Sequence, residues 1–431
     1  MVTGGVRAVA RCKTLGVAPF SDMAGGLYRG YLSSAHRSAL DQVGRWMVEA
    51  GMSAEVDPAG NLVGYYAGTD KDPPSLIIGS HLDSVRDAGV FDGPLGIMLG
   101  IECVAALHER GERMPFAIEI YGFGDEEGSR FPAAMLTSRA VAGSLDADLV
   151  TIVDGEGVSL PDALQRFNAD YREICTGLAI LPREQLGLGG FHKARRQPAK
   201  TLAYLEAHIE QGPVLEAEGL AVGTVTGIAA QLRFEIGLSG TAGHAGTTAM
   251  GLRRDAVAGM AEMVLAAEEV ATAGPPDLVA TVGVVEVPAG AANVIAGRSR
   301  FTLDVRAGDA VVRDRAAEDI LRHFREIAER RDLGLSVRQG HDLPPSPCDP
   351  ALMAMLDEAT RAAGHRPFRL VSGAGHDAMI MAALCPTAML FLRCRGGVSH
   401  NPAEHVEPAD AEAALAVMSG FITRLGASRA A

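Results

Sequence analysis

The sequence lacks any apolar run long enough to span a membrane, and it lacks a cysteine framework. Its six cysteines, Cys12, Cys103, Cys175, Cys348, Cys385 and Cys394, are scattered without C-x-x-C spacing, which excludes a disulfide-stapled scaffold and reads as reduced thiols. Residues 1–20 carry Arg7, Arg11 and Lys13 but no apolar stretch of signal-peptide length, so the expected location is the cytoplasm. Aromatic residues are scarce at 5%, and positive charge is outweighed. A formal net charge of −14 excludes the clustered Lys and Arg of a nucleic-acid footprint. The one basic run, His192 to Arg196, follows Gly189-Gly190, precedes Pro198 and reads as a solvated loop.

What is present is an ordinary globular composition, 48% hydrophobic and 21% charged. At roughly 150 residues per domain, the chain has room for two or three domains. The 51 glycines and abundant alanine suit an α/β protein with tight turns and closely packed helices.

Ser75 to Ser80 and Phe116 to Phe123 are short apolar runs that read as buried strands. Between them Leu95, Met98, Ile101, Val104, Ala105 and Leu107 recur at helical spacing, with Pro94 in the first turn and Gly111 at the end. Strand, helix, strand makes a βαβ unit and hence a parallel sheet, on which chemistry sits at the carboxyl ends of strands. From Val214 to Gln339 the rhythm changes. Strands are expected at Arg233–Leu238, Leu278–Val287, Ser299–Arg306 and Leu335–Val337, with helices at Arg253–Val270 and Val312–Arg331. This β-α-β-β-α-β order is a self-contained split βαβ sandwich. After Pro344-Pro345-Ser346-Pro347 the first pattern resumes and includes Thr387–Leu392, as though one domain continued around an insertion.

The first strand leads directly into His81-Leu82-Asp83, and Asp92-Gly93 opens the helix. An imidazole and a carboxylate at one strand end are metal-ligand types, with Asp83 as an acceptor that fixes the His81 tautomer. The next strand delivers Asp125, Glu126 and Glu127 to the same sheet edge, where crowded carboxylates raise one another's pKa unless cations relieve them. The competing reading of this run is a solvated acidic turn, which charge runs usually are. His208 in Glu206–Gly212 and His400 in Gly397–Pro402 complete the set. His81, Asp92, Glu127, His208 and His400 are enough N and O donors for two ions if one carboxylate bridges.

These motifs occur in one order with others: Gly-Ser-His81-Leu-Asp83-Ser, Phe91-Asp92-Gly93, Asp125 to Phe131, His208 to Gly212, His244-Ala-Gly-Thr, Asn293-Val-Ile, Asp304-Val-Arg306, Ser372 to Asp377 and Ser399 to Glu404. The series resembles the amidase, hydantoinase and carbamoylase branch of the zinc aminoacylase and carboxypeptidase-type metallohydrolases, from about Gly25 to the C-terminal helix. The resemblance implies an α/β fold with a mixed, mainly parallel sheet flanked by helices, an exopeptidase-like catalytic domain over residues 1–213 plus 342–431, and an inserted ferredoxin-like dimerisation or lid domain over 214–341. It implies two divalent ions per subunit, zinc or else manganese, cobalt or nickel, with Asp92 bridging. His81 and His208 would complete one site, and Glu127 and His400 the other. Glu126 would be the general base, moving a proton from water to the leaving nitrogen. His244 would polarise the scissile carbonyl, Asn293 and Arg306 would hold the substrate carboxylate, and Gln211 and His376 would be further polar contacts. Without the resemblance, Asn293 reads as a turn residue and Arg306 as a cross-strand partner of Glu235 or Asp304.

Two departures touch loops rather than ligands. Ala249 stands where the family usually has Pro, and Asp87-Ala88 where Asn-Gly is common. The expected substrate is a small N-carbamoyl (ureido) carboxylate. His81-Leu-Asp-Ser-Val85, Phe91 to Gly96 and Thr224 to Ala229 look like N-carbamoyl-L-amino-acid hydrolases more than allantoate amidohydrolases, the second reading. An aminoacylase or dipeptidase is a more distant one, since His208 replaces the carboxylate that the peptidases tend to use. A homodimer through the inserted domain is expected, and no nucleic-acid or membrane partner.

Overall fold

A computed structural model describes residues 3–145, 151–174 and 191–430; Cys175 and Gly189-Gly190 lie outside them. The chain divides into two units, Met1–Thr226 with Cys348–Leu370 and His376–Ala431, and Gly227–Pro347 with Val371–Gly375.

The first unit is built on strands that are apolar at nearly every position. Ser75–His81 and Ala117–Phe123 are buried throughout and pair in parallel, His81 opposite Phe123. Helix Pro94–Glu109 joins them. Its proline occupies the first turn, where no N–H partner is needed, and Leu95, Ile97, Met98, Leu99 and Ile101 are all buried. Each such buried aliphatic side chain contributes about 1.5–3 kcal/mol. A Cβ at Gly96 would lie 2.1 Å from the Ala207 carbonyl oxygen, so glycine lets this helix lie directly on the strand Thr201–Ile209.

The sheet order is Ser53–Val56, Leu62–Tyr66, Ala117–Phe123, Ser75–His81, Thr201–Ile209, Thr387–Leu392 and Val222–Ile228. The four strands from Ala117–Phe123 to Thr387–Leu392 run parallel, and the flanking ones antiparallel. The result is the mixed, mainly parallel sheet the resemblance implies. Helices Gly4–Leu15 and Pro94–Glu109 pack with the long helix Pro408–Ala430. Among the described residues no helix is long and apolar enough to cross a membrane, and the five described cysteines are buried and form no disulfide. The basic run is largely exposed, as a solvated loop should be, with Arg196 half-buried. Its Arg196 pairs with Glu119, which also takes the Ser75 hydroxyl at 2.6 Å, because a buried carboxylate needs charged and hydroxyl donors.

The second unit has the expected β-α-β-β-α-β order. Ala230–Ser239 lies between Arg298–Ala307 and Gly334–Leu343, all antiparallel. Leu232, Phe234, Ile236 and Leu238 alternate inward against helices Ala256–Thr272 and Ala310–Arg330, whereas Arg233 and Glu235 face outward. Three details differ from expectation. The first helix begins at Ala256 rather than Arg253, because the Asp255 side chain accepts the N–H groups of Val257 and Ala258. Leu278–Val287 is two short strands, Val279–Thr281 and Val285–Glu286, with a one-residue register shift against Arg298–Ala307 between them, where the Thr302 hydroxyl takes the Val284 N–H at 3.1 Å. Residues 214–226 stay with the first unit, because Val222–Ile228 pairs with Thr387–Leu392.

Candidate metal centre

The carboxyl ends of the parallel strands of the first unit converge on one carboxylate, Asp92. His81 ends its strand, and its Nδ1 stands 3.1 Å from the Asp83 main-chain oxygen. A carbonyl only accepts, so Nδ1 carries a proton, and Nε2 faces Asp92 Oδ1 at 3.4 Å. His208 is held the same way, with Nδ1 2.9 Å from the Ile209 carbonyl and Nε2 3.0 Å from the same Oδ1. His400, at φ 54°, brings Nε2 within 3.3 Å of the other oxygen, Oδ2, and 3.4 Å of Glu127 Oε1. Gly93, at φ 82°, makes the turn possible. A Cβ there would lie 2.5 Å from the His81 carbonyl.

Asp92 therefore turns one oxygen to His81 and His208 and the other to Glu127 and His400. The donor atoms of each trio lie within 4.8 Å of one another, as do those of His81, Glu126 and Glu127. The His208 Nε2 is buried with the Asp92 carboxylate beside it, and a ring nitrogen and a carboxylate so placed suit a divalent cation.

The electrostatics match such a site. Burial works against charge on Asp92, yet the imidazoles of His208, His400 and His81 draw it well below the usual carboxylate range. Burial pushes Glu126 well above its ordinary value, and Asp377, Glu127 and Asp83 add to this against the opposing His81. Burial likewise raises Glu127, and burial with the neighbouring Asp83 raises Asp125 well above its usual range. Acids crowded at one sheet edge are what the sequence implied.

One expectation is corrected. The Asp83 carboxylate does not fix the His81 tautomer; its Oδ1 is 3.7 Å from Nδ1, and the nearer main-chain carbonyl serves instead. Two N–H groups of the turn after Ala117–Phe123, from Glu126 at 3.1 Å and Glu127 at 3.2 Å, converge on the carboxylate. The Asp83 carboxylate thus holds the Glu126–Glu127 turn.

Gln211 Nε2 donates to Asp92 Oδ2 at 2.8 Å and to the Ser399 hydroxyl at 3.1 Å. His376 is buried with its ring centroid 4.4 Å from that of His208, and burial and His208 hold its pKa well below normal. Sequence reasoning gave no role to Ser399, Glu404, Glu206 or Asp377, although their motifs contain them. The Ser399 hydroxyl donates to Asp92 Oδ2 at 2.5 Å, and Glu404 Oε1 accepts the N–H groups of Phe91 at 2.7 Å and Asp92 at 3.1 Å. Glu206 takes Ser80, Tyr204 and the Ala378 N–H, and burial beside it raises Asp377 to about 8.

The remaining expected residues lie in the second unit. His244 sits opposite Val294 in a short antiparallel pair, and the Ala245 N–H meets the Asn293 carbonyl at 2.9 Å, so His244 and Asn293 adjoin. Gly246 N–H donates to His244 Nδ1 at 3.2 Å, which leaves the neutral ring with its proton on Nε2. Arg306 pairs with Asp304 at 2.7 Å, whereas Glu235 pairs with Arg338.

Comparison with known proteins defines the class. The model of the peptidase family M20/M25/M40 matches residues 77–424, and the chain belongs to that family. It is similar to the N-carbamoyl-L-amino acid amidohydrolase of Geobacillus stearothermophilus, 39% identical over 380 residues that cover 88% of both chains. Allantoate deiminase 1 of Glycine max is 36% identical over 446 residues, covering 97% of this chain and 89% of that one. Among solved structures, an amidase of the hydantoinase/carbamoylase family from Burkholderia multivorans matches with a TM-score of 0.86 and 32% identity over 97% of each chain. Within the family this protein is a hydrolase of amide C–N bonds.

Proposed function

We propose that the protein hydrolyses the carbamoyl amide of N-carbamoyl-L-amino acids, releasing amino acid, ammonia and carbon dioxide. The observation that carries this reading is Asp92, which faces His81 and His208 with one oxygen and Glu127 and His400 with the other. In this reading those five residues hold two divalent ions, zinc or else manganese, cobalt or nickel. When bound, the ions supply Lewis acidity that polarises the scissile carbonyl and acidifies the attacking water.

The chain's own groups do the rest. Glu126 takes a proton from the water as it adds to the carbamoyl carbon and delivers it to the leaving nitrogen as the C–N bond breaks. Its raised affinity for a proton suits both halves of that task. His244 offers its Nε2–H to the developing oxyanion. Asn293 and Arg306 hold the substrate carboxylate, and Gln211 and His376 contact the ureido group. The first unit, Met1–Thr226 with Cys348–Leu370 and His376–Ala431, acts as the catalytic domain in this reading. The second unit, Gly227–Pro347 with Val371–Gly375, acts as the lid that also pairs two copies of the chain, in the cytoplasm.

The allantoate deiminase relative matches a larger share of the chain than the carbamoylase does, which favours a second reading, allantoate as substrate. One panel separates them. Enzyme stripped by chelator and restored with Zn²⁺, Mn²⁺ or Co²⁺ is assayed for ammonia release from L- and D-N-carbamoyl amino acids and from allantoate. The expected outcome is loss on stripping, recovery on reloading, and the fastest release from the L-carbamoyl compounds; preference for allantoate moves the function to the second reading. Pairing of copies has its own check. A mixture of inactive His244→Ala and Glu126→Ala chains is expected to regain activity, through sites that combine an intact Glu126 with a partner's intact His244. A mixture as inactive as its parents removes action across the pair.

A further inference from the structure

On the outer face of the second unit's sheet four polar side chains form a block. Asp304 lies directly opposite Arg233 in the antiparallel ladder, and Arg306 directly opposite Gln231. Residues two apart on a strand share a face, so all four point away from the helices that cover the other side. Every described side-chain bond between members of the block ends on Asp304. Its Oδ1 accepts Arg306 Nε at 2.7 Å, and its Oδ2 accepts Arg306 Nη2 at 3.1 Å, Arg233 Nε at 2.7 Å and Gln231 Nε2 at 2.6 Å.

A guanidinium has five N–H donors in a rigid plane. Asp304 takes two of Arg306's, on Nε and Nη2, and the Gly373 carbonyl takes one on Nη1. One N–H remains on each terminal nitrogen. Two such groups in a fixed plane match the two oxygens of a carboxylate, and the plane is fixed because Asp304 grips the opposite edge. Asp304 is in turn held by Gln231, which is buried, and by Arg233, whose side chain is 55% exposed. Both arginines keep Asp304 ionised despite its partial burial, so the grip persists through the neutral range.

We propose that Asp304 is the positioning residue that orients Arg306 for the substrate's carboxylate, and so sets the selectivity for ureido acids over their uncharged analogues. The proposal rests on the reading that Arg306 receives that carboxylate. It assigns Asp304 no contact with the substrate. The arrangement also separates the two arginines in function: Arg233 is a spare partner of Asp304, and its loss leaves the Asp304–Arg306 pair in place.

The test compares N-carbamoyl-L-alanine, or allantoate if the panel above prefers it, with the corresponding carboxamide. Asp304→Ala is expected to lower kcat/KM for the acid on the order of 10- to 100-fold, chiefly through KM, the scale of losing a charge-assisted bidentate alignment. It should change kcat/KM for the carboxamide by less than about threefold, because only the carboxylate needs the aligned fork. Asp304→Asn, which still accepts from Arg306 at one oxygen, should recover part of the loss. Arg233→Ala should leave the acid-to-carboxamide ratio near the wild-type value, and adding Asp304→Ala to Arg306→Ala should cost the acid nothing more.

If Arg306→Ala removes the preference for the acid while Asp304→Ala preserves it, the positioning role is overturned and the reading of Arg306 stands. If Arg306→Ala itself preserves the preference, the reading of Arg306 fails and the proposal with it. Equal losses on both substrates in Asp304→Ala would mark a structural role and overturn the proposal.

Discussion

Glu126→Gln is expected to lower kcat by about 10³-fold, within the range of about 10²–10⁴ for loss of a general acid–base group. The substitution keeps the size of the side chain and removes only its capacity to carry a proton. Glu126 is buried, and its pKa stands well above the usual range because burial and the charges of Asp377, Glu127 and Asp83 outweigh the pull of His81. A carboxyl with that affinity can take a proton from water and release it to an amine nitrogen in one turnover. Metal content should match wild type, because both trios built on Asp92 are complete without it. KM should move little, since a group used mainly in the transition state affects kcat and kcat/KM alike. Turnover within about tenfold of wild type would remove the role assigned to Glu126.

Asp92→Ala is the second large expectation, and it acts on binding rather than on proton transfer. Each Asp92 oxygen serves a different trio, so one substitution should empty both positions while His81, His208, Glu127 and His400 all remain. The apparent affinity for Zn²⁺ should fall by more than about 100-fold, since outer partners of ligands alone account for 10- to 100-fold. Activity should fall to background even with excess metal. Competition with a chromogenic chelator reads the affinity directly. A variant that keeps one tight site would show that the two trios do not share Asp92.

The two substitutions divide the account cleanly. Glu126→Gln should leave a loaded and inactive enzyme, Asp92→Ala an unloaded one. Thermal unfolding with and without chelator adds a readout independent of turnover, because an ion that binds only the folded chain stabilises it by an amount that grows with the logarithm of its concentration over Kd. That increment should persist in Glu126→Gln and vanish in Asp92→Ala.

Much of this architecture is legible in the sequence because it rests on local rules. The apolar runs at Ser75–His81 and Ala117–Phe123 and the helix opened by Pro94 announce a βαβ unit, and that unit alone places His81 and the Asp125–Glu127 turn on one edge. The alternation in Ala230–Ser239 and Arg298–Ala307 likewise announces the second sheet. What stayed illegible depends on pairing over long separations or on the main chain. Glu404 meets the Phe91 N–H across 313 positions, and no local pattern ties them. The choice between main-chain carbonyl and carboxylate at Asp83 depends on where two N–H groups converge, which spacing does not record. Arg306 had two candidate partners in the sheet. Register decides between them: Glu235 stands opposite Thr302 and is taken by Arg338, whereas Asp304 is two residues from Arg306 on the same face.

In the proposed reading His81, Asp92, Glu127, His208 and His400 would hold two divalent ions. Counting divalent ions per chain, by mass spectrometry of metals in the stripped and reloaded enzyme alongside activity, tests it most directly. The account predicts that activity rises only as loading approaches about two ions per chain and that Asp92→Ala binds neither ion tightly. Full activity at one ion per chain, or in enzyme that holds none, would contradict it.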